Sequence, residues 1–207
     1  MSRASASRLS SVSVDLDPLR CYHEIHALPP APSAQAHVVL QRALPRFLEL
    51  FARHGIQATL FVVGSDLATG ENRKLLAQAV QAGHELGNHT HGHPYALSRL
   101  PREAAEREIG DCHHALADLV GRPPMGFRAP GYELQAETLE ILEAFGYRYD
   151  SSIFPCPPYY LAKLAVMAKM ALLRQPSGAI IGAPQAQLAP LLPYRPDGRA
   201  PWRRGHA

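Results

Sequence analysis

The stretch from Gln57 to His93 decides the fold. Gln57-Ala58-Thr59-Leu60-Phe61-Val62-Val63 is a short run rich in β-branched and aromatic residues, and it reads as a strand. Asn72 to Gln81 reads as a helix, ended by Gly83. His84-Glu85-Leu86-Gly87-Asn88 fits a further strand, and His89-Thr90-His91-Gly92-His93 follows directly. Strand, helix and strand in that order imply parallel pairing through a right-handed crossover.

The same alternation extends outward in both directions. Ser11 to Asp17 reads as the first strand. Val38 to His54 carries Val39, Leu44, Phe47, Leu48 and Phe51 at helical spacing and closes on Gly55. Downstream, Arg102 to Val120 is a helix stopped by Gly121 and Pro123, Met125 to Ala129 a strand, Ala136 to Phe145 a helix and Tyr147 to Asp150 a strand. The class is α/β, an open sheet or a barrel. Five or six strands are too few to close an ordinary barrel, so the reading expects an open barrel or a chain shortened at its C-terminus.

The pattern divides the chain into a disordered segment 1–10, an α/β domain 11–154 and an irregular region 155–207. Within the last, Pro155 to Pro158 is a proline-broken turn, and Ile180-Ile181 is the short strand candidate. Tyr159 to Leu173 is apolar and helix-compatible, with Lys163, Lys169 and Arg174 on or beside it. A core helix is its first reading. Its second is a helix lying on a membrane surface, giving peripheral membrane contact through 159–174.

With 207 residues the chain is long enough for one domain with a sizeable core. A formal charge of only +3, with both signs interspersed, gives no reason to expect a nucleic-acid partner. The basic run Arg199 to Arg204 reads as a solvated tail. Cys21, Cys112 and Cys156 are odd in number and lack paired metal spacing, which favours a reduced compartment. Met1 to Ser10 is followed by no apolar leader core, and no run approaches the length of a membrane span. These points make a soluble cytoplasmic chain the expectation.

The chemistry-bearing residues cluster at strand ends. Asp15 and Asp17 close the first strand, His89 and His93 follow the third, Arg128 closes the fourth and Asp150-Ser151 the fifth. In parallel α/β domains, loops at the C-terminal rim of the strands converge on one site. One carboxylate and two imidazoles four residues apart make a three-ligand shell that leaves a position open on a divalent metal, zinc first. The other carboxylate can serve as a base, and Arg128 can hold it. His84 reads instead as a satisfied interior histidine, His91 as pointing away from the metal to solvent or substrate, and His113 and His114 as exposed. Tyr22-His23-Glu24-Ile25-His26 spaces its imidazoles by three, so it is no metalloprotease helix. It either lines the cleft or packs.

Five segments together resemble the polysaccharide deacetylase family (family-4 carbohydrate esterases, the NodB-homology domain). They are Ser13-Val14-Asp15-Leu16-Asp17, residues 58–64, the block Gly83 to Pro94, Phe127-Arg128-Ala129-Pro130-Gly131-Tyr132 and Tyr149-Asp150-Ser151-Ser152. The resemblance runs from about Val12 to Phe154. It implies a distorted (β/α) barrel and one metal held by Asp17, His89 and His93. By the same resemblance Asp15 is the general base, Arg128 its partner, Tyr132 lies near the oxyanion and Thr90 hydrogen-bonds within the histidine loop. The implied reaction removes acetyl from an N-acetylated sugar, less readily from an O-acetylated one. Rival readings are a deformylase or deacylase of a lipid-linked sugar, a small cyclic amide hydrolase, and a metal- or glycan-binding remnant without turnover. The family's general-acid histidine, in a Leu-X-Leu-His-like segment, has no match after Asp150, and His206 is not assigned that role. The oligomeric state is left open.

Overall fold

In the computed structural model, which describes residues 10–174, 178, 180 and 182–205, five strands form one parallel sheet in chain order. They are β1 (Val12–Leu16), β2 (Ala58–Val62), β3 (Glu85–Asn88), β4 (Gly126–Phe127) and β5 (Tyr149–Asp150). The helices are α1 (Leu19–Ile25), α2 (Leu44–His54), α3 (Gly70–Gln81), α4 (Arg102–Val120), α5 (Ala136–Ala144) and α6 (Pro157–Leu172). The strand–helix alternation read from the sequence is the alternation of the fold.

Register explains why the strand ends meet. Asp15 lies level with Phe61, and Val62 lies level with Asn88. Asp17 and His89 therefore emerge on either side of the end of β2, where the His89 amide donates to the Val62 carbonyl at 3.0 Å. The two-residue period of a strand puts Ser13, Asp15 and Asp17 on one face, while Leu16 turns to the core.

Two apolar clusters flank the sheet. One joins Leu16, Leu60 and Val62 to Leu44, Leu76 and Leu116 from the helices. The other packs Phe127 with Ile109, Ile141 and Leu142. Helix α4 contributes to both and locks them together. Each fully buried leucine stabilises the fold by roughly 1.5–3 kcal/mol.

Several local expectations are corrected. β4 and β5 are only two residues each, because side chains replace the ladder beyond them: the Ala129 amide donates to Ser152 Oγ at 2.8 Å. The helix expected from Val38 starts with a π turn over Val39–Ala43. Pro45, near the start of α2, has no N–H to donate to the preceding turn. His113 is buried rather than exposed, since the face of α4 that carries it packs against Phe145 and Tyr147. No residue of α6 is buried, and Leu161, Val166 and Leu172 are 63%, 57% and 84% exposed, so α6 is not a core helix. Ile180 is buried but in no strand; Ile181, residues 1–9 of the expected disordered segment, and His206 lie outside the described residues. Among the described residues no helix is long and apolar enough to cross a membrane.

Gly87 in the middle of β3 is required by close approach. A Cβ there would sit 2.6 Å from the Phe61 ring, and Phe61 is itself buried beneath the Arg128 guanidinium. Gly87→Ala should destabilise the protein by about 1–3 kcal/mol through overpacking. Urea denaturation checks this; an unchanged midpoint would contradict it.

Candidate active site and metal centre

Asp17, His89 and His93 bring three ligand atoms together. Asp17 Oδ1 is 3.2 Å from His89 Nε2 and 3.4 Å from His93 Nε2. A tetrahedral ion with bonds of about 2.0–2.1 Å needs ligand–ligand edges of about 3.3–3.4 Å. These spacings fit. Despite them, Asp17 Oδ1 makes no hydrogen bond of good geometry and is an orphaned buried acceptor, as expected of an atom that faces a cation rather than a donor. Burial pushes the Asp17 carboxyl up, but the two histidines outweigh it and hold the group well below the usual carboxylate range. His89 Nδ1 lies 2.6 Å from the Arg128 carbonyl, which can only accept. Nδ1 therefore carries a proton, which leaves Nε2 as the ring atom that would serve as ligand to an ion.

The histidine loop is held in a costly conformation. Thr90 and His93 both have left-handed backbone, with φ of 64° and 63°. Its amides are all tied down. The Thr90 amide donates to Asn88 Oδ1 (2.7 Å), His91 to the Glu108 carbonyl (2.8 Å), Gly92 to Glu108 Oε2 (2.6 Å) and His93 to Thr90 Oγ1 (3.1 Å). Arg20 on α1 donates to the Gly92 carbonyl and to Ser65 Oγ. His91 is half-buried, and its ring packs on Gly64, where a Cβ would lie 2.9 Å from its Nδ1.

Beside this cluster, Arg128 clamps Asp15. Nη1 donates to Asp15 Oδ1 at 2.5 Å, Nη2 to Ser13 Oγ at 2.8 Å and Ser151 Oγ at 2.7 Å, and Nε to the Ser151 carbonyl at 3.1 Å. The guanidinium also lies 4.2 Å above the Phe61 ring centroid. The Tyr132 hydroxyl donates to Asp15 Oδ2 at 3.3 Å. Burial, with Asp15 close by, pushes that phenol up to about 12, so it stays a donor. The Tyr132 amide, one candidate oxyanion donor, is taken by the Ala129 carbonyl at 3.2 Å.

The structure adds residues the sequence reading left without a role. Ser13 and Ser151 complete the Arg128 clamp, and the strand period of β1 already placed Ser13 on the same face as Asp15. Asn88 is fully buried and uses its amide three ways, to the Thr90 amide, the Ile109 carbonyl and the Tyr147 hydroxyl. Glu108 anchors the loop from α4, with no local signal to reveal it. Asp66, in the turn after β2, is 7% exposed; burial pushes its carboxyl up to about 6 against the pull of Arg20 and His37. As expected from sequence, His84 is interior, accepting the Ala58 amide at 3.0 Å. Of the Tyr22–His26 stretch, Tyr22 to Ile25 belong to α1 and His26 caps it.

Two predictions follow from this geometry. Thr90→Ala removes the acceptor that holds the strained His93 amide, and should weaken metal binding roughly 10–100-fold, measured by competition with a chelator. An unchanged affinity would show that the loop holds its shape without Thr90. Asp66 gives a pH signature in metal-free protein. Its raised folded pKa means that its stabilising contribution is complete below the ordinary 3.8 and lost as pH rises through about 6. Asp66→Asn, neutral throughout, should therefore gain on the parent between pH 4 and 7, by roughly 3 kcal/mol at the upper end. A thermal-stability gap that does not vary with pH would contradict the assignment.

Comparison with known proteins agrees with this arrangement. Residues 36–149, just over half the chain, match the family model for polysaccharide deacetylase. A peptidoglycan deacetylase from Helicobacter pylori is 31% identical over 57% of this chain and 40% of its own length. A peptidoglycan-N-acetylglucosamine deacetylase from Bacillus cereus is 32% identical over 50% of this chain and 47% of its own. The chain thus spans under half the length of these two relatives. A family 4 carbohydrate esterase from Streptomyces lividans shares the fold, with a TM-score of 0.51 and 23% identity over 68% of this chain and 59% of that one. The parallel sheet, the order of its elements and the family match agree: the chain belongs to the polysaccharide deacetylase family.

Proposed function

We propose that the chain is a metal-dependent hydrolase that removes acetyl from an N-acetylated sugar of a polysaccharide or glycoconjugate. The observation that carries this is a carboxylate, Asp15, oriented by Arg128 and Tyr132 beside a separate Asp–His–His cluster spaced for a cation. Asp17, His89 and His93 would hold the ion, with zinc favoured by two imidazoles and one carboxylate. When bound, such an ion supplies an acidified water and polarises the acyl oxygen.

The protein's own groups do the rest. Asp15 Oδ1 is committed to Arg128, whereas the contact from Tyr132 to Oδ2 is long at 3.3 Å. Oδ2 can therefore take the proton of the attacking water as the new C–O bond forms. The C–N bond then breaks, and the proton held by Asp15 is the one the departing amine needs. Acetate and a free amino sugar result. The names of the H. pylori and B. cereus relatives support peptidoglycan-type N-acetylglucosamine as the substrate class.

A second reading, a lipid-linked sugar substrate, is favoured by one observation. Helix α6 leaves its apolar residues uncovered, and residues 155–196 contain Lys and Arg but no Asp or Glu. Lys163 is engaged with the Tyr95 hydroxyl at 3.0 Å, leaving Lys169 and Arg174 to face an anionic surface. Sedimentation with anionic but not neutral vesicles would favour this reading, and no binding to either would remove it.

Acetate release from chitooligosaccharides tests the main reading. Asp15→Asn should retain the metal yet lose about 100-fold or more in rate. His93→Ala should lose the metal itself. An Asp15→Asn protein as fast as the parent would refute the base assignment.

A further inference from the structure

The loop that carries His89 and His93 is held from behind by polar side chains that run out to α4. Asn88 is fully buried, and the orientation of its amide is not free. The Ile109 carbonyl can only accept and the Thr90 amide can only donate. Nδ2 therefore faces the first at 2.9 Å and Oδ1 the second at 2.7 Å. The second Nδ2 hydrogen goes to the Tyr147 hydroxyl oxygen, 2.6 Å away.

That bond decides the next one. Tyr147 accepts from Asn88, so its own proton must point elsewhere. Burial pushes the Tyr147 phenol up, and it keeps that proton. Among the described residues its other bond is to His113 Nδ1, at 3.2 Å. A hydroxyl donating there requires a lone pair on Nδ1, hence a neutral His113 protonated on Nε2. The surroundings suit that state. The ring is 7% exposed and faces Phe145 and Tyr147, with His114 beside it on its own helix. Burial first, and His114 second, hold the imidazole below its usual range.

Each link is thus set by the one before it, from the Thr90 amide through Asn88 and Tyr147 to His113. Ile109 and His113 lie one turn apart on α4, so the chain ties the histidine loop to successive turns of that helix. His89 sits inside the innermost link, between Asn88 and Thr90.

Resting on the metal-site reading, we propose that Tyr147 and His113 are positioning residues for the metal centre, acting through Asn88. Neutral His113 takes the Tyr147 proton, which leaves the Tyr147 oxygen to Asn88 Nδ2 and Asn88 Oδ1 to Thr90. A protonated His113 would face that oxygen as a second donor and leave the phenolic proton without an acceptor. The hold on the loop would loosen, and metal binding would carry a proton dependence from a residue that is not a ligand.

Zinc affinity by chelator competition, with urea midpoints of the metal-free proteins measured alongside, tests this. Tyr147→Phe and His113→Leu should each weaken zinc about tenfold at neutral pH. His113→Asn puts an amide oxygen near the Nδ1 position and should bind zinc as the parent does. Below the ordinary imidazole value of 6.5, the parent should lose affinity more steeply than His113→Asn. Protonation of His89 and His93 is common to both proteins and cancels in that comparison. Should Tyr147→Phe fail to fold, His113→Leu against His113→Asn gives the same readout.

Variants that lose urea stability yet keep the parental zinc affinity would make the pair purely structural, overturning this role while the metal site stands. Equal losses in His113→Leu and His113→Asn, or parallel pH profiles, would overturn it as well. A parent that binds no zinc would remove the metal centre, and this role with it.

Discussion

One guanidinium holds the rim of this molecule together. The edges of the sheet are β1 and β5, yet the Arg128 side chain reaches Ser13 and Asp15 on one edge and Ser151 just past the other. The sheet must curl until its edges face each other across a single side chain. This gives the fold its barrel-like form although, among the described residues, no ladder joins β5 to β1. The same residue's carbonyl fixes the tautomer of His89. Arg128 thus couples the proposed base to the proposed metal centre through two different parts of itself. Burying such a cation costs several kcal/mol unless it is paired and hydrogen-bonded, and its four bonds to Asp15, Ser13 and Ser151, with the Phe61 ring below, offset that cost.

Among the described residues, conformational strain is concentrated at the same rim, with Ala27 and Arg174 the non-glycine residues of positive φ outside it. Thr90, His93 and Tyr132 are non-glycine residues with positive φ, and all three belong to the site or its lining. A strained loop keeps its shape only when its surroundings over-determine it. Here Asn88 and Glu108 supply that constraint from the strand before the loop and from the long helix packed behind it. The result is a pair of imidazoles aimed before any ligand arrives, which is what pre-organisation at a catalytic centre requires.

Much of this was legible in the sequence. The period of β1, the helix-ending glycines and the placement of Asp15, Asp17, His89, His93 and Arg128 at strand ends were enough to bring the site together. What stayed hidden depends on tertiary contact. Glu108 is one carboxylate among several on α4, and only packing selects it. His113 reads as a mid-helix polar residue until Phe145 and Tyr147 cover it. Helix α6 is apolar enough to suggest a core, but whether an apolar helix is covered depends on its neighbours. The two-residue strands β4 and β5 were overestimated because Ser152 takes over hydrogen bonding that a longer ladder would have made.

Family membership accounts for the fold, and the proposed activity rests on this chain's own Asp–His–His cluster. Elemental analysis of purified, dialysed protein, before and after chelation, tests that cluster most directly. The account predicts about one equivalent of a divalent metal, removed by the chelator together with acetate release, and both recovered on adding zinc. Protein that binds no metal even with zinc supplied, or that releases acetate equally well without it, would contradict the account.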